Sequence, residues 1–324
     1  MIKGLLCLRV SSALYNGLQV RGMAASVDKA MLSKLRKRTG ISFINCKKAL
    51  EQFENDLEKA EKWLKEQAQK EGWAKATKLQ SRSMSNGLVA VVSNQQAATM
   101  IEVNCETDFV ARNNKFINLT ASLAQDCHQA LLQKSEASLE LDKAVGSLVT
   151  AEGKSLADLV ALEVGNIGEN MLLRRAVHLK GNASYLAAYV HASGPEISSD
   201  SECRLGKYGV ILSLGQIAAP SREDGQTPSL EDIGHKLGQH IVGMNPRLVG
   251  SLDEKEEEEK EDESDEKKDE SDEKKEEEER LVFQEFLLDP STYVGELLKE
   301  NGVTVDTFYR FACGEELPQD EKEN

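Results

Sequence analysis

Five histidines and 55 acidic side chains supply the material for acid–base or metal chemistry, but their spacing does not organise it. His235 and His240 stand five apart, which does not bring them to one helical face as a metal pair, and no glycine-rich phosphate loop or nucleophile elbow occurs. Six cysteines, Cys7, Cys46, Cys105, Cys127, Cys203 and Cys313, form no CxxC pair and read as small buried hydrophobes of a reducing compartment. The expectation is a protein that is not an enzyme and takes neither a metal nor a cofactor. A recognition chemistry is set up instead at Asn104-Cys105-Glu106-Thr107-Asp108-Phe109-Val110, where a large aromatic and a carboxylate stand side by side. Scaffolded corners present side chains to partners. The plain alternative is a helix-capping Asp beside a core Phe.

The elements that would position this pair can be read on either side of it. Ala98 to Val103 is an apolar, β-branched strand, and Gly87 to Val92 pairs with it through the turn Ser93-Asn94-Gln95-Gln96. Phe116, Leu119, Leu123 and Cys127 follow at helical spacing, so Asp108 and Phe109 fall at a strand-to-helix corner. The same strand, strand, helix unit returns with Tyr185 to His191, Gly209 to Ile217 and a helix from Leu230 capped by Ser229. Between the two units Ser155 caps an apolar helix, which Asn166-Ile167-Gly168-Glu169-Asn170 breaks. Leu172, Leu173, Ala176 and Val177 then suggest another helix. Near the end, Leu281 to Leu287 reads as a strand, Asp289-Pro290 as a helix start, and Val305 to Ala312 as a last strand.

Ahead of this body, residues 28 to 70 carry three short helical patterns, with Ser42 capping the second and Gly40 closing the first. Phe43 and Ile44 open the second helix, as exposed contacts or as ordinary core. Residues 73–85 are polar and Lys-rich, as a linker would be. The first 27 residues hold no acid but carry Lys3, Arg9 and Arg21 among apolar side chains, the pattern of a mitochondrial transit peptide. The net charge of −15 is concentrated in residues 253–280, where 19 acidic and 7 basic side chains give −12 and leave −3 for the remainder. That segment, with no apolar seam, reads as a disordered, solvated insertion. No basic stripe with interleaved aromatics stands out, so direct nucleic-acid binding is not expected, and no apolar run is long enough for a membrane span.

With these residues assembled, the chain resembles the elongation factor Ts family, in its mitochondrial form, from about residue 28 to residue 315. The resemblance rests on an ordered set of motifs: Leu35-Arg36-Lys37-Arg38-Thr39-Gly40 with Cys46-Lys47-Lys48-Ala49-Leu50, then Glu102 through Val110, then Ile167-Gly168-Glu169-Asn170 with Arg174-Arg175. Asp289-Pro290-Ser291 through Val294-Gly295 and Arg310-Phe311 complete it. It implies an α+β protein, an N-terminal three-helix (UBA-like) module followed by a duplicated α+β core of antiparallel sheets with helices. The segments expected are a transit peptide over 1–25, the module over 26–72, a linker over 73–85, core halves over 86–182 and 183–318, and a polar tail over 319–324.

The resemblance also implies a guanine nucleotide exchange factor of the mitochondrial matrix, which binds mitochondrial elongation factor Tu in its GDP-bound and nucleotide-free forms and drives GDP release. Thr107, Asp108, Phe109 and Val110 match the family corner that meets the partner's nucleotide domain and disturbs its magnesium site. Ile167 and Gly168 match a second contact segment, and His191 a further contact. Phe43 and Ile44 stand where bacterial members carry paired Met residues, and the acidic insertion lies in the part of the chain where those members carry a coiled-coil excursion. The rival reading is a non-enzymatic adaptor whose three-helix module binds a peptide or a ubiquitin-like partner. From the acid-free leader, the mature protein is expected to lack roughly the first twenty to thirty residues. N-terminal sequencing of the cellular protein checks this, and a chain still beginning at Met1 would refute it.

Overall fold

The computed structural model describes residues 27–39, 41–79, 83–181, 184–191, 203–217, 228–251 and 279–317. The expected leader over 1–25, Gly40, residues 253–278 of the acidic insertion and the tail over 319–324 lie outside the described residues. The chain divides into two compact units that part after Leu64.

The first unit is built by α1 (Lys29–Thr39), α2 (Phe43–Gln52) and the start of α3 (Leu57–Leu79). Ser42 caps α2 by accepting the Asn45 N–H at 3.3 Å. Leu32, Leu35, Cys46, Ala49, Leu50, Ala60 and Leu64 form a small core of their own. Phe43 and Ile44 are left outside it, 52% and 66% exposed: Ile44 lies on the side of α2 opposite Cys46, Ala49 and Leu50, whereas Phe43, although in line with Leu50, is the first residue of the helix and extends past the packed face.

The second unit contains β1 (Asn86–Ser93), β2 (Ala97–Cys105), α4 (Asp108–Ala111), α5 (Asn114–Leu132), β3 (Ser138–Leu141), α6 (Leu156–Ile167) and β4 (Met171–Lys180). It continues with β5 (Tyr185–His191), β6 (Cys203–Gly206), β7 (Tyr208–Gln216), α7 (Leu230–Met244), β8 (Glu285–Phe286), β9 (Asp289–Tyr293), α8 (Val294–Glu300) and β10 (Val303–Ala312). One sheet has the order β3-β4-β2-β1-β6 and another β10-β7-β5, all pairs antiparallel. The duplication is visible in that order. The chain visits β1, β2, α5 and β4 and lays the strands down as β4-β2-β1; it then visits β5, β7, α7 and β10 and lays them down as β10-β7-β5. An α+β architecture with a helical N-terminal module is what the sequence led us to expect.

Alternation along the strands assigns each face its cover. Ala90, Val92, Ile101 and Val103 face α5, meeting Phe116, Leu123 and Cys127, while Val210, Leu212 and Leu214 face Ile233, Leu237 and Ile241 of α7. The intervening residues Val89, Val91, Ala98 and Met100 meet Ile211, Leu186 and Phe311, so the two sheets stack face to face with a helical layer on each outer side. A Cβ on Gly209 would lie 2.7 Å from Val89 and 2.8 Å from the Met100 sulfur, so the closeness of the sheets requires glycine there. Under α5, the Thr99 hydroxyl bridges His128 Nδ1 (2.8 Å) and His178 Nδ1 (2.7 Å), and burial lowers the His178 pKa to about 4, which keeps that ring neutral near neutral pH.

One polar cluster lies between the sheets. Glu102, wholly buried, accepts from Arg175 Nε at 2.6 Å, Arg174 Nη1 at 3.3 Å, Asn104 Nδ2 at 2.9 Å and the Gly314 N–H at 2.7 Å. Arg175 lies 3.8 Å over the Phe311 ring and also donates to Glu315 at 2.6 Å, and Arg310 donates to Glu315 at 3.2 Å. The end of β10 is thereby tied to β2 and β4.

Four stretches differ from expectation. Leu172, Leu173, Ala176 and Val177 belong to β4, not to a helix. A bulge places Glu102 opposite Arg175 but Val103 opposite Leu173, so Arg174 is an extra residue and Leu173 and Ala176, three apart, reach the same core. Leu281–Phe283 is a 3₁₀ turn whose three residues are all buried, and only Glu285–Phe286 is strand. Asp289 starts β9, its carboxylate accepting the Ser291 N–H at 3.3 Å; α8 begins at Val294, where Glu296 accepts the Tyr293 N–H at 3.2 Å. Residues 73–79 of the expected linker are helical, because α3 runs on against α6. Gly72 abuts the Ala161 carbonyl, Gly165 abuts that of Ala68, and Gln69 and Trp73 donate to Asp158 at 2.7 and 3.1 Å.

Removing one member of a buried ion cluster leaves its partners desolvated and unpaired. Glu102→Ala is expected to lower stability by about 3 to 5 kcal/mol in urea denaturation, and adding Arg175→Met to it should restore part of that loss.

Candidate functional site

The corner is assembled by short-range capping. β2 ends at Cys105, whose thiol donates to the Thr107 carbonyl at 3.2 Å; burial pushes that thiol up to about 12, so it stays protonated and inert. Thr107 is the cap of the single-turn α4, accepting the Val110 N–H at 3.4 Å. Val110 and Ala111 drop into the core beneath α5, and Asn113 caps α5 by accepting the Lys115 N–H at 2.9 Å. With both ends of the turn fixed, Phe109 has only the outward direction left and stands 81% exposed. Asp108 beside it pairs with Arg112 at 3.4 Å on the surface, a contact worth little in water. Neither part of the plain alternative holds: the cap is Thr107, and Phe109 is not core.

The second segment is the end of α6. Its helix is capped by Ser155, which accepts the Asp158 N–H at 3.1 Å, and closes at Gly168, whose φ of +94° is left-handed and whose N–H returns to the Val164 carbonyl at 2.9 Å. Ile167, half-buried, packs against the core under α5. Two hydrogen bonds join this segment to the corner: the Thr107 hydroxyl donates to Glu169 Oε2 at 2.8 Å, and the Asn170 N–H donates to Glu106 Oε1 at 3.0 Å. Directly beneath, Met171 of β4 pairs with Cys105 of β2. Thr107 to Val110 and Ile167 with Gly168 are thus neighbours.

His191 ends β5, opposite Tyr208, and its Nδ1 lies 3.2 Å from the Tyr189 hydroxyl. Lys207, next to Tyr208, donates from Nζ to the Gly87 carbonyl at 2.8 Å, and Gly87 pairs with Asn104. The end of the sheet stack that carries the corner therefore carries His191 as well. Phe43 and Ile44 belong to the first unit and form the exposed start of α2. Among the described residues no group of three or more His, Cys, Asp or Glu is placed to hold a metal ion.

Sequence reasoning gave Glu106, Glu169 and Asn170 no role although all three lie in the quoted motifs, and the same holds for Arg174, Arg175 and Arg310. The available signal was charge inside an apolar context: Glu102 and Arg175 interrupt otherwise apolar strands, which is costly unless they meet. What the site can do follows from its shape. A large apolar side chain is held in water on a stiff turn, beside a carboxylate, at one end of a rigid stack.

Known proteins resemble this chain along most of its length. Residues 18–74 match the family model described as elongation factor Ts, mitochondrial, N-terminal, and residues 106–315 match that described as elongation factor TS. The chain is 43% identical to a protein named mitochondrial elongation factor Ts from Branchiostoma floridae over 322 residues, covering 95% of this chain and 96% of that one. It is 41% identical to the Xenopus laevis protein of the same name (93% and 91% covered) and 40% identical to that of Homo sapiens (90% and 85% covered).

Gly168 separates a conformational demand from a steric one, since a Cβ there would meet nothing within 4 Å. Gly168→Ala is expected to cost about 1 to 2 kcal/mol in urea denaturation from the left-handed backbone alone. An unchanged midpoint would show that the turn relaxes freely.

Proposed function

The chain belongs to the elongation factor Ts family of translation elongation factors, and from that premise we propose that it is the guanine nucleotide exchange factor for mitochondrial elongation factor Tu, working in the mitochondrial matrix. The observation that carries this reading is Phe109, 81% exposed at the tip of a turn anchored by Thr107, Val110 and Ala111. A fold gains nothing from an aromatic held in water, whereas a partner with an apolar gap gains its burial.

Phe109 enters the partner's nucleotide domain, with Asp108 beside it and Ile167 and Gly168 as the adjoining contact. His191, at the same end of the sheet stack, adds a further contact, and Phe43 and Ile44 of the first unit add another. GDP is held by phosphate contacts and by a magnesium ion that offsets the charge between phosphate and protein. An exchange factor need not touch the base. It has only to favour a partner conformation in which that cluster is loosened, and the factor's own side chains do this by binding, not by bond-making.

Burying one Phe is worth roughly 1.5 to 3 kcal/mol, and about 1.4 kcal/mol is tenfold in an equilibrium, so Phe109 alone weakens nucleotide binding by about one to two orders of magnitude. Linkage makes the effect reciprocal: GDP weakens the factor's hold on its partner by the same ratio. The GDP-bound form is therefore the one that is entered and the nucleotide-free form the one that is held.

Phe109→Ala is expected to slow stimulated GDP release at least about tenfold, while the exposed position leaves stability within roughly 0.5 kcal/mol of the parent. Release of labelled GDP from purified mitochondrial elongation factor Tu, run beside a melting curve, checks both. A variant that melts early but keeps its specific activity would sink the wedge mechanism.

A further inference from the structure

Glu106 and Glu169 accept across the site in opposite senses. The corner supplies the Glu106 carboxylate to the Asn170 N–H at 3.0 Å, and the segment after α6 supplies the Glu169 carboxylate to the Thr107 hydroxyl at 2.8 Å. The Thr107 hydroxyl has one proton. Donating it to Glu169 turns the oxygen's lone pairs toward Val110, whose N–H it accepts at 3.4 Å as the cap of α4. Glu169, 62 residues away in the chain, therefore sets the cap that holds the Phe109 turn. In return, Asn170 is the second residue after the left-handed Gly168, where the chain swings from α6 into β4, and anchoring its N–H to Glu106 fixes where Ile167 and Gly168 stand. The β2–β4 ladder closes the ring from below through Cys105 and Met171.

We infer that Glu106 and Glu169 are positioning residues of the exchange site, binding the Asp108-Phe109 corner and the Ile167-Gly168 segment into one rigid contact element. The inference rests on the exchange reading for its functional consequence, but the coupling itself is a property of the free protein. Both carboxylates are half-buried at the site. A contact element of this kind does not yield at Phe109 when pressed against a partner, because the reaction is carried by α6 and β4 as well as by its own turn. Groups that act as a unit lose function non-additively.

The test uses the full chain with Glu169→Ala, which removes the acceptor, and Glu169→Gln, which keeps one. Glu169→Ala should slow stimulated GDP release about fivefold, the equivalent of roughly 1 kcal/mol, and Glu169→Gln should stay within about twofold of the parent. Without any partner, Glu169→Ala should speed amide hydrogen exchange at Val110, on the other segment, by about fivefold. Losses from Phe109→Ala and Ile167→Ala should be non-additive in the parent and additive in the Glu169→Ala background. Unaltered exchange at Val110, or equal losses for the Ala and Gln variants, would overturn the inference. A parent chain that fails to accelerate GDP release would overturn the exchange reading instead, and the Val110 amide would still decide the coupling.

Discussion

A carboxylate enclosed between two sheets must have its lone pairs matched, and Glu102 sets that requirement for much of the second unit. Its oxygens receive two arginines, an amide and a backbone N–H, drawn from β2, β4 and the residues after β10. Breaking such a cluster is costly and building it is close to neutral, so its main effect is on geometry. An apolar interface could slide by a residue; this one cannot, because a one-residue shift would leave Arg175 without Glu102 and Glu315. The register between the two halves of the duplicated core is thereby pinned near the end of the stack that carries the corner.

Stiffness at that end is what would make an exposed aromatic useful in the proposed exchange contact. The residues that hold Phe109 in place are committed elsewhere: Thr107 to its cap and to Glu169, Val110 and Ala111 to the core, and Asn113 to the start of α5. On binding a partner, a flexible loop bearing the same side chain would lose part of its binding energy in being ordered, and this turn would lose little.

The corner and its apolar surroundings were legible because they depend on local signals. Alternation in β1 and β2, the caps at Ser42, Ser155 and Ser229, and the helical spacing of Phe116, Leu119 and Leu123 each concern residues close in sequence. The duplication was legible for the same reason, since each copy repeats its own local pattern. What escaped is non-local. The bulge at Arg174 gives β4 a false helical period, and nothing in residues 171–180 alone discloses the bulge, which sets Arg175 opposite Glu102 on another strand. β6 joins the first sheet from the second half of the chain, a pairing with β1 that no local pattern foretells. The polar run after Trp73 continues a helix that meets α6 at Ala68, Gln69, Gly72 and Trp73 through glycine-to-carbonyl contacts and hydrogen bonds to Asp158, which leave no hydrophobic trace. The roles of Glu106 and Glu169 escaped too, since each is explained only by a residue more than 60 positions away.

The place of β2 within its sheet has a mechanical consequence. The strand is hydrogen-bonded along its length on both sides, to β1 from Ala98 to Cys105 and to β4 from Ala97 to Cys105, and the corner continues directly from its end. A load applied at the corner along the strand axis is shared by two ladders in shear, with many bonds strained together, and does not open them one after another as peeling an edge strand would. The yield point of such an anchor lies well above that of the side chain's own contacts. In the proposed contact, traction would therefore part the partner surface first and leave the architecture of this chain intact.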